Sequence, residues 1–284
     1  MSSSEKNIAL VCNPTRENHK ALQTADSIGL LLSGMDVRHK FFLIDWPKDF
    51  DDFTEVWIIG GDGTVHWFIN KYPEIELPLA VFSGGAGNDF HWMLYGERTT
   101  EEQVEYVLAA VPQSIDAGIC NGRLFLNGVG IGFDGAIVHD LLGKRKLAGK
   151  ASYLVSILKQ IVAYHEKPCT LQMPAMTFTQ DCFMISVANG KRYGGGFQVA
   201  PKASLTDGLL DISVIGKISS FSRMKYLPVI EKGEHLNLPF VQYHKAERIT
   251  ITSPVKLHAH MDGEYLQEDV FEIQMLPKRF SFFY

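Results

Sequence analysis

The chain has 284 residues, enough for two compact domains, and its 46% hydrophobic and 21% charged residues exclude a disordered protein. Its net charge of −5 argues against nucleic acid as a partner, which draws on a basic surplus. No run of about 18 apolar residues predicts a membrane span, and the polar start, Met1 to Lys6, has no apolar signal core.

In chain order, residues 8–12 form a short apolar run that ends at the turn dipeptide Asn13-Pro14. Ala21, Leu22, Ala25, Ile28 and Leu32 recur at helical spacing and Gly34 follows as a stop. Strands are predicted at 37–44, 56–59 and 79–82, with a helix starting over 65–70. Thr100 with Gln103 reads as a capping box ahead of Val104, Val107 and Leu108. Strands alternating with helices predict an open parallel sheet. After about Pro112 the pattern changes. Strands are expected at 123–126, 183–187, 209–215, 248–251, 256–261 and 270–275, with one helix near 151–164. The fold class is therefore an α/β N-terminal domain with an open parallel sheet, 1–112, and a mostly antiparallel β-rich C-terminal domain, 113–284. The aromatic tail 279–284 could return to cover the first domain. Cys12, Cys120, Cys169 and Cys182 lack the two-residue spacing of a zinc or redox pair, and are read as reduced and mostly buried, as suits a cytoplasmic protein.

The strongest local signal is Gly60-Gly61-Asp62-Gly63-Thr64, between a buried strand and a helix. Glycines let backbone N–H groups approach an anion, and the helix start adds the positive end of its dipole. The plainer reading is a tight turn, which does not need three glycines. A second loop, Ser83-Gly84-Gly85-Ala86-Gly87-Asn88-Asp89-Phe90, also follows a strand and fits turn or site equally. Both loops and Asn13 lie at carboxyl ends of strands, where open α/β sheets gather ligands. Gly130-Ile131-Gly132-Phe133-Asp134-Gly135 matches a dinucleotide fingerprint, but the stretch about 20 residues on looks helical, so a structural or substrate-side loop is expected. Asp262-Gly263-Glu264 reads first as a hairpin turn and second as a way to hold a carboxylate at a sheet edge. Ser204 to Leu209, with Asp207, fits a hard-cation loop or a solvated turn. His258 and His260 share a strand face, expected to be an exposed face in preference to a metal pair. Lys144, Arg145, Lys146 and Lys150 form a basic cluster, read as a solvated helix end or a contact to anionic headgroups. The chain has no G-x-x-x-x-G-K-[ST] loop, no G-x-S-x-G elbow and no H-E-x-x-H pair.

Taken in order, these segments resemble the diacylglycerol kinase catalytic family, in particular its bacterial soluble lipid kinases. Residues 60–64 resemble its GGDGT motif and 85–90 its G-T-G-N-D-F loop. Residues 127–134 (NGVGIGFD), 194–211 and 262–264 resemble its later motifs. The resemblance implies a nucleotide domain, a C-terminal β-sandwich and an active site between them. It implies that Asn13, Gly60, Gly61, Asp62, Gly63, Thr64, Gly85, Gly87 and Asn88 hold ATP. Asp62, Asp89 and Asp207 would join a magnesium and water network, and Ser204, Asp207 and Leu209 would bind a structural Mg²⁺. Glu264 would be the general base, assisted by Asp262. Ala86 departs from the family's usual threonine, Asp45 and Trp46 stand near another expected threonine, and 44–56 is short for the helix expected there.

Phosphoryl transfer asks for in-line positioning and neutralised oxygen charge, and a carboxylate near the acceptor hydroxyl adds a base. The expectation is an ATP-dependent, Mg²⁺-using kinase of a lipid hydroxyl, diacylglycerol-like or sphingoid, with a place in lipid metabolism. It would be cytoplasmic, touch the membrane transiently from the water side, and bind no nucleic acid; its oligomeric state stays open, a homodimer included. The rival readings are an NAD kinase-like enzyme, a dehydrogenase using the 130–135 glycines, and a non-catalytic nucleotide- or lipid-binding relative.

Overall fold

A computed structural model describes residues 6–13, 19–142 and 150–284. Pro14, and Lys144, Arg145 and Lys146 of the basic cluster, lie outside them. The chain divides into two compact units. The first holds residues 1–115 and 278–284, the second residues 116–277.

In the first unit, β1 (Asn7–Cys12), α1 (His19–Gly34), β2 (Arg38–Phe42), β3 (Glu55–Gly60), α2 (Asp62–Lys71), β4 (Leu79–Ser83), α3 (Asp89–Tyr95) and α4 (Thr100–Ala109) follow in order. The sheet is parallel in the order β2-β1-β3-β4, with Leu10 opposite Trp57 and Ile58 opposite Val81. The continuous burial of β1 and β3 is what a parallel sheet covered on both faces demands. Helix α1 buries Ala21, Ala25, Ile28 and Leu32, as their spacing predicts. The stretch between β2 and β3 has no helix. Trp46 and Phe50 pack there against Phe68 and Tyr72, and the Trp46 indole N–H donates to the Cys12 carbonyl at 3.2 Å.

One helix start differs from expectation. The capping box uses Thr99 and Glu102, one residue earlier than Thr100 and Gln103. Both registers satisfy the pattern, but the Gln103 side chain is buried, donating to the Val81 carbonyl at 2.7 Å and meeting His91 at 2.8 Å. An exposed carboxylate also suits the helix start better.

The second unit begins within β5 (Pro112–Cys120) and continues with β6 (Arg123–Phe125), β7 (Gly128–Gly132), α5 (Phe133–Leu141), α6 (Lys150–Ala163), β8 (Lys167–Met173), β9 (Met176–Ala188), β10 (Leu210–Gly216), α7 (Ser220–Glu231), β11 (Val241–Ala246), β12 (Arg248–Met261) and β13 (Glu264–Phe283). Its strands run antiparallel in the order β11-β10-β9-β7-β12-β13, with β8 pairing both β9 and β12. One core lies among the strands, around Val129, Ile131, Ile251 and Phe271. A second lies where α5 and α6 pack, around Phe133, Ile137, Ile161 and Phe183. Strand β13 passes into the first unit at Lys278, whose φ of +54° breaks the run, and Phe282 then pairs in parallel with Leu79 of β4. Among the described residues no helix is long and apolar enough to cross a membrane. All four cysteines are buried and unpaired.

The sequence reading is corrected here in four places. Residues 130–135 are not a loop. They end β7 and start α5, because Gly130 and Gly135 permit close backbone packing: a Cβ on Gly135 would lie 2.2 Å from the Ala259 nitrogen. The segments 248–251 and 256–261 are one strand, irregular between Thr252 and Leu257. Helices α3, α5 and α7 and strands β5, β7, β8 and β11 were not anticipated; β8 does bury Cys169, Leu171 and Met173 in alternation, but its other face is polar. His258 and His260 do not line an exposed face. His260 is buried against the Tyr193 ring, and His258 Nδ1 meets the Tyr265 hydroxyl at 2.7 Å.

Candidate active-site residues

In the first unit the two glycine loops are one structure. Gly61 is the single residue between β3 and α2, and no side chain caps that helix start. A Cβ built on Gly61 would lie 2.9 Å from the Gly85 Cα, and one on Gly85 would lie 2.5 Å from the Gly61 Cα. Only glycine lets these backbones touch. The Gly84 N–H donates to the Gly60 carbonyl at 3.0 Å. Asn88, at φ +53°, laces the second loop: its Oδ1 accepts from Gly85 N–H and its Nδ2 donates to the Gly85 carbonyl, both at 2.8 Å. The Asp62 carboxylate accepts from the N–H groups of Asp89 at 3.1 Å and Phe90 at 2.9 Å, tying the start of α2 to the start of α3.

The structure thus brings Gly60, Gly61, Asp62, Gly84, Gly85, Asn88 and the buried Asp89 together at the carboxyl ends of β3 and β4. Asn13 is exposed at the end of the neighbouring strand β1. Thr64 packs its side chain against Gly60. Gly87 stays half-exposed and Ala86 exposed. A backbone cradle with an uncapped helix start fits a polyphosphate. Gly85→Ala is expected to weaken nucleotide binding at least tenfold while α/β content is kept, because the new methyl enters the Gly61 backbone. Titration of a fluorescent ATP analogue checks this; unchanged affinity would remove the cradle from the site.

In the second unit, Asp262 and Gly263, at φ +47° and +87°, form the two-residue hairpin turn between β12 and β13, with Met261 opposite Glu264. The Asp262 side chain is a pin. Its Oδ1 accepts from Asn127 and Gly128 N–H at 2.9 Å each, and its Oδ2 from Leu126 N–H at 2.8 Å. Glu264 is half-buried beside this turn.

Asp134, a member of the third glycine motif with no role read from sequence, is half-buried at the start of α5, and the Tyr193 hydroxyl donates to its Oδ2 at 2.5 Å. Burial pushes its carboxyl up to about 7, a rise that the Tyr193 bond tempers. A Cβ on Gly130 would lie 2.5 Å from His260 Nε2 and 2.7 Å from Asp134 Oδ2, so both polar groups crowd onto this glycine. Burial holds His260 down at about 4, against the pull of Asp262. The folded state therefore keeps a proton on Asp134 that the unfolded chain releases between 3.8 and about 7. Stability from this group is full below the ordinary carboxylate value and falls as pH rises through that window. Asp134→Asn is expected to flatten that decline, so that the variant gains melting temperature over the parent toward pH of about 8. Equal slopes in the two proteins would place the charged form in the fold.

The cation loop has a different partner from a metal. Asp207 Oδ1 accepts from Leu209 N–H at 3.1 Å, and Oδ2 takes the Lys245 ammonium at 2.8 Å. Lys245 sits opposite Asp211 on the paired strand and reaches its carboxylate at 3.3 Å as well. Gly208 N–H is held by Asp116 Oδ2 at 2.8 Å. Among the described residues no group of three or more His, Cys, Asp or Glu could hold a metal ion. Ser204, Asp207 and Leu209 do not fit a self-contained magnesium site, because a lysine already supplies the positive charge. Lys245, Asp116 and Tyr193 were missed from sequence. Only Asp134 had a signal, a lone acid in an apolar glycine run.

The order of these elements is matched by known families. Residues 8–120 match the diacylglycerol kinase catalytic domain, and residues 127–283 match the YegS C-terminal NAD kinase beta sandwich-like domain. A Chromohalobacter salexigens protein named "Probable lipid kinase YegS-like" is 30% identical over 77% of this chain and 72% of its own. The chain belongs to the diacylglycerol kinase and YegS-like lipid kinase family. This lipid kinase-family member is also 26% identical to a Bacillus subtilis protein named diacylglycerol kinase, over 75% of this chain and 72% of that one. Two solved structures share the fold. A diacylglycerol kinase from Bacillus anthracis superposes with a TM-score of 0.75 at 22% identity, covering 98% of this chain and 97% of that one. An NAD kinase from Archaeoglobus fulgidus in complex with ATP superposes at 0.57 with 15% identity, covering 98% and 93%. The expected α/β domain and β-rich sandwich are the fold of this family, and a kinase-type phosphotransferase is its chemistry.

Proposed function

We propose that this family member transfers the γ-phosphate of ATP to the hydroxyl of a lipid, a diacylglycerol-like or sphingoid alcohol. The observation that carries the reading is the paired glycine cradle, in which Gly61 and Gly85 touch and Asp62 and Asn88 pin the loops. Residues 1–112 would serve as the nucleotide domain, with Asn13, Gly60, Gly61, Asp62, Gly63, Thr64, Gly85, Gly87 and Asn88 around the phosphates. Residues 113–284 would serve the acceptor. Backbone N–H groups of the glycine loops would take up charge on the phosphate oxygens as the terminal P–O bond breaks and ADP leaves. The acceptor oxygen would form the new O–P bond and pass its proton to the Glu264 carboxylate. Mg²⁺ would arrive with the nucleotide and offset polyphosphate charge. Asp262 would act by holding the hairpin that presents Glu264.

Such an enzyme would work from the water side of the bilayer. The test is transfer of labelled γ-phosphate to a panel of diacylglycerols, sphingoid bases and NAD. A labelled lipid is the expected product. Labelled NAD with unlabelled lipids would shift the assignment to an NAD kinase-like activity, and no product with retained ATP binding would make the chain a non-catalytic relative.

A further inference from the structure

Between β2 and β3 the helix and threonine expected from the family pattern are absent, and an aromatic cluster stands there instead. Trp46 is its centre. Its indole N–H, bonded to the Cys12 carbonyl, sets the ring at the carboxyl end of β1, next to Asn13. The ring packs on buried Phe68 and half-buried Tyr72, and meets Trp67 with the two centroids 4.4 Å apart at 61°. Trp46 is buried, but Trp67 stays 45% exposed.

Helix α2 leans Trp67 toward the phosphate cradle. Residues three and four apart share a helix face, and their side chains point back toward the helix start. The Trp67 indole therefore lies over the turn of Gly63 and Thr64, within about 5.4 Å, one turn, of the uncapped start of α2. Gly63 has no side chain to cover it. From the following turn, Lys71 holds its ammonium 4.8 Å from the Trp67 ring and 5.8 Å from the Trp46 ring, a cation–π contact that fixes both indoles. Two placements thus agree. Trp67 is next to the cradle along α2 and, through Trp46, next to the end of β1.

We propose that the Trp67 indole, braced by Trp46 and Lys71, is the stacking platform for the base of the bound nucleotide, and that it reads the face of a purine and not its edge. Triphosphates of adenosine and guanosine are then taken alike. Pyrimidines are taken less well, because every base offers a π-face but a purine offers more of it. The inference rests on the proposed nucleotide cradle and adds what that cradle lacks, a group for the uncharged end of the ligand.

The experiment is calorimetric titration of the full chain with the magnesium complexes of ATP, GTP, CTP and inorganic tripolyphosphate, which carries the charge without a base. ATP and GTP are expected to bind within about threefold of each other and about 5- to 150-fold more tightly than tripolyphosphate, the range for one stacked base, with CTP in between. Trp67→Ala should bring ATP to the tripolyphosphate level and leave tripolyphosphate itself unchanged. Trp67→Phe keeps a ring and should recover most of the lost affinity, which a folding defect would not show. A parent that binds ATP no more tightly than tripolyphosphate overturns the platform. So does a Trp67→Ala variant with parental ATP affinity, or one that loses tripolyphosphate in equal measure. A gap of about tenfold or more between ATP and GTP in the parent overturns the face reading, because it requires hydrogen bonds to a base edge. If lipid is phosphorylated while Trp67→Ala binds ATP as the parent does, the platform falls and the kinase reading stands. If the nucleotides bind as expected and no lipid is phosphorylated, the platform stands and the kinase reading falls.

Discussion

Glu264→Gln is expected to lower lipid-dependent turnover by about 10²- to 10⁴-fold, the usual contribution of a positioned base. Glutamine keeps the shape and loses the proton acceptor. The hairpin should be untouched, because its two left-handed residues are Asp262 and Gly263 and the cross-strand partner of residue 264 is Met261 through the backbone. ATP affinity should stay within about twofold of the parent, since the proposed nucleotide loops belong to the other unit. A loss made only in the transition state lowers kcat and kcat/KM together. The measurement is single-turnover transfer from labelled ATP, with nucleotide titration as the control. Unaltered turnover would remove Glu264 from the chemistry. A rise in lipid KM at constant kcat would make it a binding group instead.

The first unit was legible because each of its decisions is local. Parallel strands buried on both faces read as unbroken apolar runs, as at Val56 to Ile59, and the glycines that follow mark the chain leaving the sheet. The second unit was less legible because its strands owe their places to long-range pairing. Gly130 and Gly132 would break most strands. Here they are needed because His260, Asp134 and the Phe183 carbonyl occupy the space a side chain would fill. No local pattern announces that crowding. Strand β11 is mostly polar and stands at the sheet margin next to β10, so it lacks the alternation that betrays a half-buried strand.

The candidate site shows the same division. The glycine cradle was visible as motifs, and Asn88 bonds Gly85 within its own loop, but the work of Asp62 was not visible, since it bonds backbone N–H groups of Asp89 and Phe90 in the other loop. Lys245 was invisible for a related reason. It meets Asp207 from 38 residues away, brought there by the β10–β11 register. Family resemblance suggested a metal at that loop, and the Lys245 ammonium stands against the Asp207 carboxylate there.

Asp262→Ala is expected to cost about 3–9 kcal/mol, since three buried backbone donors lose one shared acceptor and each orphaned group costs about 1–3 kcal/mol. Against a total stability of about 5–15 kcal/mol that is a large share. The alanine must also hold φ +47°, which costs a β-carbon-bearing residue more than it costs aspartate. Asp262→Asn should cost less, because its oxygen can still serve Asn127 and Gly128 while its amide faces Leu126 N–H with a donor. Hydrogen exchange at Leu126, Asn127 and Gly128 reads the effect where it arises. Those three amides should lose protection in both variants, more in the alanine, and urea unfolding of the second unit should shift in the same order. Turnover should fall alongside, because the turn that presents Glu264 is anchored to β7 through this carboxylate and the Asp262 N–H to Gly128 carbonyl bond at 3.0 Å. If protection at the three amides is unchanged while turnover collapses, Asp262 acts on the proton itself and not as the pin of the hairpin.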